Sequence, residues 1–134
     1  MWPNEVLVVD AIRLTYSSIG GDIKFMQLKQ LKAGGLVTDG SVRDSNTLIE
    51  YGFPIYSAST TSKQGSGECW PWQVNDAIQC GGTLVHSGDA IVGDDDGVIV
   101  IPNLLAEEIM VIARQRESVE GIVKPQLAEE TVPR

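Results

Sequence analysis

The chain has 134 residues, of which 43% are hydrophobic, so its length and composition fit a single globular domain spanning residues 1–134. Its net charge is −8, and its ten basic residues are scattered along the chain. This distribution excludes a large phosphate-binding face and argues against a nucleic-acid partner.

The N-terminal part of the chain predicts a strand–helix–strand unit. Its elements, in order, are an apolar strand at 5–11, a glycine turn at 17–22, a helix at 22–32 and a short strand at 36–38. Asp22 is a suitable N-cap for the helix, and Gly34 follows its end. The second strand is predicted to be parallel to the first and to break at Asp39-Gly40.

The rest of the chain is rich in short strands. The predicted elements are a helix at 44–51, a strand at 53–57, a loop at 60–71, strands at 74–78, 82–86, 90–92 and 97–101, a helix at 104–116 and a loose tail at 125–134. The run from Asp94 to Gly97 indicates a hairpin turn rather than a metal cluster. Together, the elements predict an α/β domain with stacked sheets or a barrel-like core.

The sequence offers no support for histidine or cysteine catalysis, or for a membrane span. His86 is the only histidine and reads as structural, and neither Cys69 nor Cys80 has an activating neighbour in the sequence. No apolar run is long enough to span a membrane, and no signal peptide is visible at the start. With two cysteines in no zinc or disulfide pattern, we expect a reduced cytoplasmic protein.

Two stretches could form an anion and metal site. Gly21 to Lys24 opens a helix, where free N–H groups attract anions, although an ordinary capped helix is the simpler interpretation. Arg43-Asp44 follows the next strand and could be a surface pair, or an anion clamp beside an oxygen ligand for Mg²⁺ or Mn²⁺. Ligands of α/β sheets bind at the carboxyl ends of strands, so the two stretches could together hold a 2-keto acid and one metal ion.

The chain resembles a known family in the order and spacing of several motifs: VLVVDA, GGDIK, GGLVTDGSVRD, YGFPIYS and CGGTLVHSGDAIVGDDDGVIVIP. They resemble the 4-hydroxy-4-methyl-2-oxoglutarate / 4-carboxy-4-hydroxy-2-oxoadipate aldolases, which share their fold with the regulator of ribonuclease activity A. The family pattern is an Asp, twenty residues and then Arg-Asp, which Asp22 and Arg43-Asp44 match. The resemblance implies a swivelling β/β/α domain that assembles as a homotrimer or hexamer.

The resemblance also implies a class II, metal-dependent pyruvate aldolase, with oxaloacetate decarboxylation as a side activity. N–H groups from Gly21 through Asp22 and Ile23 to Lys24 would hold the substrate carboxylate, and Arg43 would grip the keto acid and stabilise its enolate. Asp44 would hold Mg²⁺ or Mn²⁺. Asp22 would bind the metal through water and help to move a proton.

Two departures and one unassigned residue keep alternatives open. Family members carry a region before the VLVVD strand, so the chain resembles a truncated copy. Thr47 stands where many relatives have an acidic residue. A C-terminal acidic residue of a neighbouring subunit completes the family site, and either Glu117 or Glu120 could take that part. The alternatives to an aldolase are a non-catalytic regulator that binds an endoribonuclease, and an inactive paralogue.

Overall fold

The computed structural model describes residues 3–129. Its elements, in chain order, are β1 (Val6–Val9), β2 (Ser18–Gly20), α1 (Asp22–Gln30), β3 (Gly35–Val42), α2 (Ser45–Glu50), β4 (Ile55–Thr60), β5 (Ile78–Cys80), β6 (Thr83–Val85), β7 (Ala90–Asp94), β8 (Gly97–Ile101), a 3-10 helix (Asn103–Leu105) and α3 (Ala106–Glu129). The expected mixed α/β fold class is confirmed.

Strand β3 lies at the centre of a four-stranded parallel sheet. β1 pairs with its first half and β2 with its second half, so these two short strands share one edge, and β4 occupies the other. The predicted parallel pairing of the strands at 5–11 and 36–38 is therefore confirmed. Helices α1 and α2 are the crossovers that parallel strands require. They enclose a core of five buried side chains: Phe25, Leu36, Val42, Leu48 and Phe53.

Asp39-Gly40 does not form the predicted turn, because β3 continues through it, with a register shift against β4 between Thr38 and Ser41. The Asp39 side chain turns inward and its carboxylate accepts hydrogen bonds from the N–H groups of Ala11 at 2.7 Å and Arg13 at 3.3 Å. A Cβ at Gly40 would lie 2.5 Å from the Cβ of Ala11. Asp39 and Gly40 therefore allow the segment around Ala11 to pack closely against β3. A local turn pattern does not reveal this contact.

Two further local predictions in this half are wrong. The predicted glycine turn contains strand β2, because Ser18 and Gly20 pair with distant residues of β3. Asp22 is not the N-cap of α1, since Gly21 takes that position and Asp22 is the first helical residue. The Asp22 Oδ1 atom instead accepts a hydrogen bond from the N–H of Ile23 at 2.8 Å.

Two antiparallel hairpins, β5–β6 and β7–β8, follow the sheet. The predicted turn between Asp94 and Gly97 is confirmed, and Asp94 Oδ1 accepts a hydrogen bond from the N–H of Asp96 at 2.9 Å. The strand predicted at 74–78 lies later in the chain, as β5. Its position is fixed by the pairing of Ile78 with Val85 across the hairpin.

Helix α3 continues well beyond the predicted helix at 104–116 and includes Pro125. The prediction of a loose tail is therefore wrong for residues 125–129, and residues 130–134 lie outside the described part of the chain. The helix exposes many apolar side chains, including Ile112 at 55%, Val119 at 59% and Leu127 at 62%. No helix within residues 3–129 is both long enough and apolar enough to cross a bilayer.

Ile12 has a backbone conformation that isoleucine rarely adopts, with φ at 53°. The left-handed region costs a non-glycine residue roughly 1–2 kcal/mol, and a β-branched side chain is disfavoured there most. The Ile12 side chain is 89% exposed, so its removal loses little packing. We expect Ile12→Gly to raise the free energy of unfolding by about 1 kcal/mol in urea titrations.

Ile49→Gly is the matched control for this stability prediction. Ile49 is 77% exposed and lies inside helix α2, where glycine is unfavourable. The same chemical change there, Ile49→Gly, should lower the free energy of unfolding by about 1 kcal/mol. Equal losses in both variants would contradict the assignment of backbone strain to Ile12.

Candidate functional site

The carboxyl ends of β2 and β3 bring the predicted site residues together. The N–H of Arg43 donates to the carbonyl oxygen of Gly20 at 3.1 Å, which places the residue after β3 beside the turn that opens α1. The N–H of Asp22 lies 3.2 Å from Asp44 Oδ2. The structure therefore places Gly21, Asp22, Arg43 and Asp44 together where β2 and β3 end, which we call this edge of the sheet.

Carboxylate oxygens of the chain itself accept hydrogen bonds from the first N–H groups of α1. Asp44 Oδ2 accepts from the N–H of Asp22, and Asp22 Oδ1 accepts from the N–H of Ile23. In these contacts the first N–H groups of α1 are paired with carboxylates of the chain itself, as the exposed N–H groups and the helix dipole favour. A carboxylate ligand at the same N–H groups would displace these two side chains.

Asp44 has an unusual backbone for the residue that precedes a helix. It is the N-cap of α2 in the left-handed conformation, with φ at 62°, and its side chain makes no capping hydrogen bond. Instead, Asp44 Oδ2 lies 3.3 Å from Arg43 Nε as well as near the N–H of Asp22. Asparagine and aspartate tolerate this conformation best among residues with a side chain, and here it turns the carboxylate toward α1.

Gly21 is where the turn approaches the Arg43-Asp44 pair most closely. A Cβ built on Gly21 would lie 2.2 Å from Asp44 Oδ2 and 2.7 Å from Arg43 Nε. Gly21 has extended backbone angles, so the glycine is required by space rather than by conformation. The remaining predicted substrate residues lie alongside. Ile23 is 73% exposed, and Lys24 Nζ donates to the carbonyl oxygen of Ile19 at 3.0 Å.

The carboxylate oxygens of Asp44 and Asp22 at this edge are compatible with Mg²⁺ binding. Within residues 3–129, no three His, Cys, Asp or Glu side chains cluster closely enough to cage a metal ion. Mg²⁺ does not need such a cage, because it keeps several waters and binds through one or two carboxylates together with ligand oxygens. Asp44, with a partly exposed carboxylate beside Asp22, offers that arrangement.

Of the other titratable residues named in the sequence, His86 and Glu120 make contacts within their own segments. His86 donates its backbone N–H to Asp89, and hydrogen bonds from His86 and Asn103 hold the pKa of Asp89 below its usual value. On α3, Glu120 pairs with Lys124 at 2.9 Å, and that contact lowers its pKa. Glu117 has no ion pair among the described residues.

Sequence reasoning missed the segment at 64–69, which lies against the same site. Gln64, Gly65, Ser66 and Cys69 line a pocket that Gly21, Lys24 and Arg43 also line. The predicted loop at 60–71 gave no reason to bring these residues to the end of β2. The contact depends on close packing, since a Cβ on Gly65 would lie 1.9 Å from the carbonyl oxygen of Ser18.

The chain is thus a mixed α/β domain in which the N-terminus of α1 lies beside an Arg-Asp pair. The sequence matches the RraA-like family, described as Aldolase/RraA, over residues 1–100. The chain therefore belongs to the RraA-like family. This finding confirms the resemblance drawn from the spacing of Asp22 and Arg43-Asp44.

Individual relatives agree with this assignment. The chain is 36% identical over 120 residues to a protein of Halalkalibacterium halodurans named "Putative 4-hydroxy-4-methyl-2-oxoglutarate aldolase", covering 87% of this chain and 55% of the relative. It is 29% identical over 115 residues to an uncharacterized protein of Methanocaldococcus jannaschii, covering 83% and 53%. The chain thus spans about half the length of these curated relatives.

Solved structures share this fold, and one of them is an RraA family member. RraAS2 of Streptomyces coelicolor, described as an unusual member of the RNase ES inhibitor RraA protein family, superposes with a TM-score of 0.88 at 34% identity, covering 94% of this chain and 64% of that one. An uncharacterized protein from Pseudomonas syringae superposes with a TM-score of 0.91 at 25% identity, covering 98% and 66%.

Proposed function

We propose that the protein is a divalent-metal-dependent pyruvate aldolase that cleaves 2-keto acids of the 4-hydroxy-4-methyl-2-oxoglutarate type. The observation that carries this proposal is the hydrogen bond between the N–H of Asp22 and the Asp44 carboxylate, beside Arg43. It joins a carboxylate-binding helix end, a guanidinium and two carboxylates at one sheet edge. The aldolase named among the relatives supports the same reaction class.

The residues of the chain have distinct tasks in this reaction. The N–H groups between Gly21 and Lys24 bind the carboxylate of the pyruvyl part of the substrate. The Arg43 guanidinium stabilises negative charge as it develops on the keto oxygen, because it is a cation whose Nε lies 3.3 Å from Asp44 Oδ2. Asp22 positions the water that takes up or delivers the proton. Oxaloacetate decarboxylation passes through the same enolate, so it is expected as a side activity.

Asp44, assisted by Asp22 through water, would hold Mg²⁺ or Mn²⁺. The ion supplies Lewis-acid polarisation of the keto group when it is bound. The same two side chains accept hydrogen bonds from the α1 N–H groups in the structure described above. If Asp44 and Asp22 held the ion, their carboxylates would leave the α1 N–H groups free for the substrate carboxylate, so we expect substrate binding to be tighter in the presence of Mg²⁺ or Mn²⁺.

The test is pyruvate release from 4-hydroxy-4-methyl-2-oxoglutarate and from oxaloacetate, measured with Mg²⁺, with Mn²⁺ and with EDTA. We expect turnover of both compounds, abolished by EDTA and restored when excess metal is returned. Turnover that persists in EDTA, or a folded protein with no turnover in either metal, would contradict the proposal.

A second candidate function is the regulation of an endoribonuclease by direct binding, without catalysis. The likeness to RraAS2 at 34% identity favours it, since that structure is described as an RNase ES inhibitor family member. A regulator should slow RNA cleavage by the endoribonuclease whether or not Arg43 and Asp44 are present. An aldolase should depend on both residues, so the pair of assays separates the two functions.

We also propose that the chain assembles as a homotrimer or hexamer through helix α3. One stripe of the helix has heptad-like spacing and consists of Ile109, Ile112, Val119 and Val123 with Arg116 between them, and Leu105 of the preceding 3-10 helix continues it. Glu117, which has no ion pair among the described residues, is the better placed candidate to reach a neighbouring site. Glu120 is held between Arg116 and Lys124.

We expect Val119→Asp to shift the protein toward monomers in sedimentation velocity, because it places a charge within the apolar stripe. Val111 is similarly exposed, at 56%, but lies outside the stripe, so Val111→Asp is the matched control and should assemble normally. A monomeric unmodified protein, or equal effects of the two variants, would argue against assembly through this stripe.

A further inference from the structure

Helix α3 stands almost entirely in solvent. It covers Ala106–Glu129, and every side chain from 110 to 128 is exposed. In proteins, most of the stability of a helix comes from the packing of an apolar face and little from its own propensity. The apolar stripe on α3 therefore needs a surface that covers it.

The stripe on α3 has the spacing of a coiled-coil seam. Ile109, Ile112, Arg116, Val119 and Val123 follow one another at intervals of three, four, three and four residues. A repeat of 3.5 residues keeps one stripe of an α-helix facing a partner helix along its length. The partner that this spacing fits is a second helix with the same repeat, and another copy of α3 provides one.

Arg116 determines which orientation of two α3 helices is favourable. In a parallel pair in register, each seam residue faces its own copy, so two guanidinium groups would meet in the middle of an apolar seam. Like charges brought together away from water repel strongly. In an antiparallel pair, the two heptad positions of the seam face each other, and no seam residue faces its own copy. The charge of Arg116 therefore favours the antiparallel orientation.

Glu120 determines the register of the antiparallel pair. Arg116 and Glu120 lie on the same side of α3, with Nε and Oε1 3.6 Å apart. When Arg116 is level with Val119 of the second copy, it also lies beside Glu120 of that copy. A shift by one heptad in either direction would place Ala113 or Leu127 beside Arg116 instead, and neither can pair with a guanidinium.

This register gives the pair complementary charges at its centre. Two Arg116 and two Glu120 side chains surround the two-fold axis, so each guanidinium has a carboxylate of its own helix and one of the second copy within reach. Lys124 Nζ already lies 2.9 Å from Glu120 Oε2 on the outer side of that carboxylate. The same register makes Ile112 level with Val123 of the second copy, so the apolar residues of the seam face one another.

We infer that α3 forms an antiparallel coiled coil with α3 of a second copy, in which Ile112 faces Val123 and Arg116 binds Glu120 of that copy. The inference rests on the assembly through α3 proposed above, and it adds the orientation, the register and the pairing residues. A two-fold axis relates the helices, so the number of chains is even, as in a hexamer and unlike a trimer. Glu117 lies about a third of the way round the helix from the seam and stays free to reach a neighbouring site.

Cysteine crosslinking measures the orientation. An equimolar mixture of Ile112→Cys and Val123→Cys, treated with a short bismaleimide, should give a covalent dimer joined between these two positions, as identified by peptide mass spectrometry. Ile112→Cys alone should give no 112–112 product, because these positions are about 16 Å apart along an antiparallel pair in this register. Val111→Cys is the matched control, since Val111 is 56% exposed but lies outside the stripe. Mixed with Val123→Cys, it should give no dimer.

Charge reversal tests the pairing between helices. Arg116→Glu and Glu120→Arg each place four like charges around the two-fold axis, so each alone should weaken assembly at least about tenfold in sedimentation velocity. A mixture of the two variants brings opposite charges together and should assemble within about threefold of the unmodified affinity. Pairing only within each helix would not be rescued by mixing. Glu117→Arg makes the same change outside the seam and should assemble normally.

The outcomes separate this inference from the proposals on which it rests. A 112–112 product, an odd number of chains or a mixture that does not recover overturns the antiparallel pair, and the effect of Val119→Asp still tests whether the stripe is the interface. A monomeric unmodified protein overturns assembly through α3 altogether. The aldolase is tested independently, by the metal dependence of pyruvate release.

Discussion

Arg43→Ala and Asp44→Ala should each lower metal-dependent pyruvate release at least about a hundredfold, while the protein stays folded. Removal of one preorganised group that stabilises a developing oxyanion typically costs this much in kcat. Both side chains are partly exposed, so their truncation removes little of the core. The measurement is the rate of pyruvate release at saturating Mg²⁺, together with circular dichroism as a check on folding.

The two variants should differ in their response to metal. Asp44→Ala should need far more Mg²⁺ for its residual activity, whereas Arg43→Ala should keep the metal dependence of the unmodified protein. Arg13→Ala and Asp95→Ala serve as controls, since both residues are exposed and lie away from the site. If Arg43→Ala retained more than about half of the activity, the role given to the guanidinium would be wrong.

Gly21→Ala should have an effect of similar size, with no change in charge or hydrogen-bonding groups. The added Cβ would meet Asp44 Oδ2 at 2.2 Å and Arg43 Nε at 2.7 Å, so both side chains must move away. A shift of about 1 Å in catalytic groups can cost about a hundredfold in rate. We expect this loss in kcat, with the free energy of unfolding changed by less than about 1 kcal/mol.

Gly67→Ala is the matched control for this substitution. No heavy atom outside the neighbouring residues lies within 4 Å of a Cβ at Gly67, so the methyl group would enter open space. Activity and stability should both be close to those of the unmodified protein. A fully active Gly21→Ala variant would show that Arg43 and Asp44 do not need the positions they have here.

The elements predicted correctly are those whose local sequence pattern agrees with the contacts they make in the fold. The apolar run at 5–11, the helix after Asp22 and the turn between Asp94 and Gly97 all appear in the structure. Apolar periodicity and turn chemistry act over a few residues, so a single sequence displays them directly. The adjacency of Asp22 and Arg43-Asp44 was also expected from the sequence, but the strand that places Asp22 there is β2, which the sequence did not predict.

The failures have a common cause, which is contact between residues distant in the chain. Asp39-Gly40 has the composition of a turn but lies within β3, because the Asp39 carboxylate accepts hydrogen bonds from the segment around Ala11. Residues 18–20 have few local strand signals and become β2 through pairing with β3. Long-range pairing of this kind overrides local propensity.

The sequence by itself determined the α/β class and the family pattern, and it predicted that Asp22 and Arg43-Asp44 would lie together. Only the tertiary structure decided how those groups face one another: Asp44 turned back by a left-handed backbone, Gly21 pressed against it, and residues 64–69 packed across the end of β2. The physical reason is that residue types and spacing follow from local chemistry. Close approach between segments depends on backbone geometry and on side-chain volume, which no short stretch of sequence contains.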